Sequence, residues 1–365
     1  MRAEDAFDVG AVHRWLAARE AGLAGLALPE VGQFPGGASN LTYLLRYPAR
    51  ELVLRRPPIG HKAATAHDMG REFRVQRRLK AWYRYVPTVL ALCEDEAVIG
   101  SPFYVMERIE GTILRGSSDV AMAPEVARAV GLRAIDCLVA LHRVDVDAAG
   151  LRDLGRGAGY VRRQVAGWCA RYGAARTANV PSFSTVMAWL DRSQPPDVAT
   201  CLIHNDFRLD NLVLDSEFRV VGVLDWEMAT LGDPLMDVGG ALAYWIEADD
   251  DAVLRRFKRQ PSDVAGMPTR AELASYYCSQ TGLVVDDWVF YEVFGLFRLA
   301  VIMQQIYYRY HHGQTTNGAF KDFWFLVTYL EERCRRVAGL GAAGAAGTTG
   351  AAGAAGLGLA QGEAF

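Results

Sequence analysis

The apolar positions change their period along this chain, and the changes divide it. Over residues 9–20 they recur at helical spacing, and Asp8 stands where a helix N-cap is expected. Residues 31–34, 41–47 and 51–55 read as strands. Pro35-Gly36-Gly37-Ala38-Ser39-Asn40 and Pro48 separate them, and Pro57-Pro58 is a stop. Strand, glycine-rich turn, strand, strand predicts an antiparallel layout. Residues 68–85 return to the helical period: Met69, Glu72, Gln76, Leu79 and Tyr83 fall on one stripe. Two more strand-like runs, 88–92 and 102–109, lead to Glu110-Gly111.

From Pro124 the texture is helical. Val126, Val130, Cys137, Leu138 and Leu141 form one apolar face, and 160–172 and 182–192 are further helix candidates. A β island at 201–204, 211–215 and 220–225 interrupts them. Helices are then predicted at 237–246, 270–280, 286–310 and 320–337. Residues 338–365 contain nine Gly and eleven Ala, with Glu363 their one charge. Such a tract cannot bury enough surface to offset its ordering entropy, which predicts a flexible tail. The expected fold class is α+β. A small antiparallel β N-lobe with a leading helix (1–110) joins a larger, mainly helical C-lobe (111–337), and the cleft between lobes is a place for a ligand.

Composition narrows the function. The chain has 365 residues, 51% hydrophobic and 22% charged, with a net charge of −3. That apolar fraction supports a real core, and the near-neutral balance argues against a nucleic-acid partner. No uncharged run has the length of a membrane span, and Glu4 and Asp5 stand where a signal peptide would be basic and then apolar, so a cytoplasmic protein without a membrane partner is expected. The six cysteines contain no CxxC pair and read as buried thiols. Only Lys62, Lys80, Lys258 and Lys321 are lysines among 39 basic residues.

The candidate chemistry lies in the β island. His204-Asn205-Asp206-Phe207-Arg208-Leu209-Asp210-Asn211 contains H-x-D-x-x-x-x-N, and the apolar run 220–224 delivers Asp225, followed by Trp226-Glu227. Phosphoryl transfer from ATP asks for a carboxylate that orients or deprotonates the attacking hydroxyl and for hard oxygen ligands to Mg²⁺. Asp206 suits the first task; Asn211 and Asp225 suit the second.

Here the chain resembles the aminoglycoside phosphotransferase family, which has the protein-kinase-like two-lobed fold. Within that family it is most similar to the phosphotransferase-like domain found joined to certain acyl-CoA dehydrogenases. The resemblance spans about residues 34–329. It implies that the loop with Gly36, Gly37, Ser39 and Asn40 covers the phosphates of ATP. It places Arg55 of Leu52-Val53-Leu54-Arg55 in the slot where kinases hold a phosphate-binding lysine, and it pairs Glu72 with Arg55. Adenine would bond the backbone between Glu107 and Ile109, the hinge. His204 is expected to pack beneath the loop. Asp237 would anchor a helix and the backbone of the catalytic loop, and Gly232-Asp233-Pro234 reads as a turn. Arg208 has two open readings: contact with the transferred phosphate or substrate, or a salt bridge to Asp210. His142 is expected to cap a helix C-terminus, and the acidic run Glu247, Asp249, Asp250 and Asp251 to be a solvated helix start.

The function implied is an ATP- and Mg²⁺-dependent small-molecule kinase acting on a hydroxyl. An acyl-CoA-like or other hydroxylated metabolite is favoured over an aminoglycoside, whose polycationic sugar calls for a dense set of acids. The alternative, motivated by arginine in the lysine slot, is a nucleotide-binding pseudokinase scaffold without catalysis.

Overall fold

A computed structural model describes residues 2–34, 40–58, 68–116 and 122–341. Gly36, Gly37 and Ser39, as well as residues 342–365 of the tail, lie outside the described residues.

Helix α1 (Val9–Ala17) starts where Asp8 Oδ1 accepts the Ala11 N–H at 2.9 Å, and it stops three residues short of the expected end. Strands β1 (Glu30–Gln33), β2 (Leu41–Tyr47) and β3 (Arg50–Arg56) follow, then α2 (Met69–Leu79), β4 (Val89–Cys93) and β5 (Phe103–Glu107). The five strands form one antiparallel sheet in the order β1-β2-β3-β5-β4. Both of its faces are covered. Val12, Leu16 and Leu23 pack with Leu45, Leu52, Leu54 and Phe103 on one side. Met69 and Phe73 of α2 pack with Val53, Tyr104 and Met106 on the other. The two-residue strand period therefore turns Arg55, next but one to Val53, toward α2. Helix α2 ends at Leu79, well before Tyr85. Three aromatics and the approach to Pro87 disfavour helix there, while Tyr83 still reaches the C-lobe and donates its hydroxyl to the Cys137 carbonyl at 3.0 Å.

At the crossover between lobes, Thr112 and Leu214 exchange backbone hydrogen bonds of 2.7 and 2.8 Å. Gly111 is needed for that contact. Its φ is 149°, and a Cβ there would lie 2.4 Å from the Leu214 carbonyl oxygen.

The C-lobe contains α3 (Pro124–His142), α4 (Tyr160–Ala175), α5 (Ser184–Arg192), β6 (Cys201–Ile203), β7 (Leu212–Leu214), β8 (Val220–Val223), β9 (Thr230–Gly232), α6 (Pro234–Leu242), α7 (Ala252–Arg256), α8 (Arg270–Thr281), α9 (Val289–His311) and α10 (Phe323–Val337). Strand β9 pairs with β6 and β7 with β8, both antiparallel. Helix α6 begins earlier than predicted. Asp233 is its N-cap, accepting from Leu235 and Met236, and Pro234 occupies the first turn. Helix α9 is, among the described residues, the one helix long and apolar enough to cross a membrane. In this fold most of it is buried, with Val293, Phe297 and Val301 inside the C-lobe core.

Candidate functional site

The loop after β6 is fixed from beneath. Asp237 on α6 accepts the backbone N–H groups of His204 and Asn205, each at 2.7 Å, as the sequence reading anticipated. Burial pushes the Asp237 carboxyl up, but the hydrogen bond from His142 and the donors of the loop outweigh it and hold the group below the usual range. His142 departs from the expected helix cap. It is buried under α6, with Nε2 3.2 Å from Asp237 and Nδ1 2.7 Å from the Tyr277 hydroxyl. His204 is fully buried: Nε2 donates to the Leu224 carbonyl at 3.0 Å and Nδ1 accepts the Asp206 N–H at 3.2 Å. Both ring nitrogens are thus engaged with the ring neutral, and burial pulls its pKa below the ordinary value.

Asn205 is left-handed, with φ 65°. Its Oδ1 accepts from Tyr160, its Nδ2 donates to the Met228 carbonyl, and its own carbonyl accepts from Arg298. That strain is tolerated because every polar group of the residue is held.

Asp206 and Asn211 meet at the mouth of this loop. Asn211 Nδ2 donates to the Asp206 carbonyl at 2.8 Å and to Asp206 Oδ2 at 3.1 Å. Arg208 makes the salt bridge to Asp210, 2.9 Å from its Oδ1, and a second contact 3.3 Å from Asp206 Oδ2. Its guanidinium stacks 4.7 Å over Tyr244, and Arg259 sits 3.4 Å from Asp210. The Asn211 carbonyl accepts from Leu224 at 2.8 Å, which brings the chain ahead of Asp225 alongside.

Arg55 reaches across from the N-lobe. Its Nε lies 3.2 Å from Glu72 Oε2, its Nη2 lies 2.5 Å from Asp225 Oδ1, and the same nitrogen is 3.5 Å from Glu227 Oε2. The expected Arg55–Glu72 pair is therefore present, joined by two carboxylates not foreseen as its partners. Burial raises the Glu72 carboxyl and Arg55 lowers it only in part. At Asp225 burial acts upward too, but Arg55 wins and holds the group below the carboxylate range. Asp225, like Asn205, has a left-handed backbone, φ 66°. Asn40, at the start of β2, donates to Glu227 at 2.8 Å, another tie between lobes.

At the hinge, the Glu107 N–H bonds the Thr88 carbonyl at 2.8 Å and the Arg108 N–H bonds the Glu51 carbonyl at 3.3 Å. Among the described residues the Ile109 N–H has no hydrogen-bond partner. The Ile109 side chain presses on Gly222 of β8, where a Cβ would lie 2.7 Å from its Cδ1. The Glu107 side chain points to Arg50 at 3.2 Å.

Two residues that the sequence reading passed over belong to this assembly. Glu227 lies beside Arg55. Arg71 of α2 donates to the carbonyls of Glu227 and Ala229, fixing the segment that follows Asp225. The acidic run of the C-lobe also differs from expectation. Asp251 does cap α7, but Asp250 is buried between Arg270 at 2.6 Å and Arg333 at 2.8 Å, and Glu247 lies 3.1 Å from Arg270. Trp226 is core, packed on His204 and Tyr83.

Residues 30–274 match the family described as the phosphotransferase enzyme family. A mouse (Mus musculus) protein named acyl-CoA dehydrogenase family member 10 is 40% identical over 306 residues, covering 83% of this chain and 28% of that protein. The chain spans less than half the length of the curated relatives it matches. Among solved structures, a Ralstonia eutropha protein assigned as an aminoglycoside phosphotransferase is 32% identical with a TM-score of 0.77, covering 92% of this chain and 99% of that one. A thermostable mutant of aminoglycoside phosphotransferase APH(4)-Ia, in ternary complex with AMP-PNP and hygromycin B, is 15% identical with a TM-score of 0.56, covering 91% and 99% of the two chains, and shares the fold.

Proposed function

We propose, for a chain that belongs to the phosphotransferase enzyme family, transfer of the γ-phosphoryl group of ATP to a hydroxyl of a small molecule. The observation that carries this reading is the convergence of Asp206 and Asn211, 3.1 Å apart, with the strand that delivers Asp225 against Arg55. The donor set fits a divalent cation. Glu72, Asp225 and Glu227 all lie against Arg55, and Asn211 Oδ1 takes no hydrogen bond among the described residues. Asn211 and Asp225 would hold Mg²⁺, which when bound neutralises charge on the triphosphate.

This chain's own residues would do the rest. Asp206 Oδ2 is occupied by Asn211 and Arg208, while Oδ1 takes no hydrogen bond among the described residues and is available to accept the proton of the acceptor hydroxyl. Asp237 and His204 keep the loop in register. Arg55, steadied by Glu72, would face the phosphates. The Ile109 N–H and the backbone at Glu107 would receive adenine.

For the acceptor, an acyl-CoA-like or other hydroxylated metabolite is favoured over an aminoglycoside. Asp250 and Glu247 are engaged with Arg270 and Arg333, and Asp251 with α7 and Tyr329, so this run offers little to a polycation. Arg208 and Arg259 beside Asp206 and Asp210 suit an acceptor that is not cationic. The names of the acyl-CoA dehydrogenase relatives point the same way.

Screening hydroxylated metabolites, acyl-CoAs and aminoglycosides for Mg²⁺-dependent ADP production tests the reading. With an acceptor in hand, Asp206→Asn should lower kcat by on the order of 10²–10⁴ and leave nucleotide binding nearly intact. Asp225→Ala should weaken Mg·ATP binding itself. Full activity in Asp206→Asn would overturn the mechanism. The engagement of Arg55 by three carboxylates favours one second reading, a nucleotide-binding scaffold without turnover; ADP release stimulated by a hydroxyl compound excludes it.

A further inference from the structure

We propose that Arg55 is a built-in counter-cation for Asp225, displaced only when nucleotide phosphates draw its guanidinium away, so that the divalent cation enters with the nucleotide and not before it. The inference rests on the phosphotransferase reading above.

The geometry of one side chain carries it. A guanidinium is a rigid fork with donors on two sides, whereas an ammonium is a single point. Arg55 uses that width. Its Nε faces Glu72 and its Nη2 faces Asp225 and Glu227 at the same time. The three contacts are unequal. Nη2 to Asp225 Oδ1, at 2.5 Å, is the shortest and is a hydrogen bond. Nε and Glu72 Oε2 are 3.2 Å apart but misaligned, and both atoms are buried without a hydrogen-bond partner. The fork is thus turned toward Asp225 at the expense of Glu72. Turning it back would align Nε–H with Glu72 and free Asp225. These are two arrangements of one group, and a ligand that binds one better shifts the balance.

A free divalent cation binds the turned-back arrangement, but it must expel a guanidinium from a half-buried carboxylate while giving up its own hydration. A nucleotide supplies oxyanions to receive the guanidinium, so nucleotide and metal help each other reciprocally.

The probe is Mn²⁺, followed by the EPR signal of the free ion with no nucleotide present. Arg55→Lys keeps the charge but cannot span both sides, and Arg55→Met removes it. Each should bind Mn²⁺ alone on the order of tenfold more tightly than the wild type, the low end for a close charge pair. With AMP-PNP present, wild type and Arg55→Lys should differ by less than about threefold. Equal affinity for Mn²⁺ alone in folded wild type and Arg55→Lys would overturn the proposal. The unaltered protein gives a second reading: Mn²⁺ alone should barely move its Tm, and a rise of several degrees would count against the latch. The metal-alone comparison needs no nucleotide. Failure to bind AMP-PNP at all would therefore sink the phosphotransferase reading, and a flat metal-alone comparison the latch.

Discussion

At Asp237 a single buried carboxylate receives two backbone N–H groups, and His142 braces it from behind. Asp237→Asn keeps the shape but turns an amide N–H₂ toward one of those donors. It should cost about 2–4 kcal/mol in urea unfolding, the range for unpairing buried polar groups around a charge. His204 makes a pH prediction. Burial depresses its folded pKa below 6.5, so the unfolded state binds the proton more readily. The stability it contributes is whole above about pH 6.5 and is lost as pH falls through the folded pKa, with a slope of up to about 1.4 kcal/mol per pH unit. His204→Gln should flatten the Tm profile between about pH 5 and 7; an unchanged slope would assign the acid limb to other groups. At this scale Asp206, Asn211 and Asp225 were legible because their spacing lies within one short loop and one strand. His142 and Glu227 were not: their partners, Asp237 and Arg55, are remote in sequence, and no local period announces them.

Helix α2 shows what pattern does and does not predict for an element. Its stripe located Glu72 correctly, since a helical period fixes which residues share a face, but the same stripe overran the end of the helix to Tyr83. Side-chain packing, not backbone continuity, carried the stripe past Leu79. Strand β9 escaped notice because three residues contain no alternation to read, and only its pairing with β6 defines it. Helix α2 also ties the lobes through Arg71, whose two terminal nitrogens hold the carbonyls of Glu227 and Ala229. Arg71→Ala should destabilise the protein by about 2–4 kcal/mol, as expected for two charge-assisted bonds, and weaken nucleotide binding because the segment after Asp225 loosens. Calorimetric unfolding with and without AMP-PNP reads both effects; a change in stability alone would separate α2 from the nucleotide site.

Across the whole molecule, the lobes are joined both by charged contacts such as Arg55–Asp225 and by an apolar seam in which Val75, Leu79 and Tyr83 pack into the C-lobe core, and the C-lobe helices share that one continuous core around α9. The general architecture was legible because the apolar period shifts from two to 3.6 at the crossover. How distant helices are locked together was not. Asp250 joins the start of α8 to α10 through Arg270 and Arg333, and Asp250→Ala leaves Arg270 with Glu247 alone and removes the carboxylate that Arg333 pairs with. A loss of about 3 kcal/mol is expected in chemical denaturation, the lower end for breaking a buried pair; a loss below about 1 kcal/mol would show the network to be surface decoration. This fastening also bears on evolution. A lineage drifting toward antibiotic modification would find its densest anionic stretch already committed to holding helices together. Resistance to cationic drugs would call for new acids elsewhere, because recruiting Glu247, Asp250 or Asp251 would loosen the scaffold that must present it.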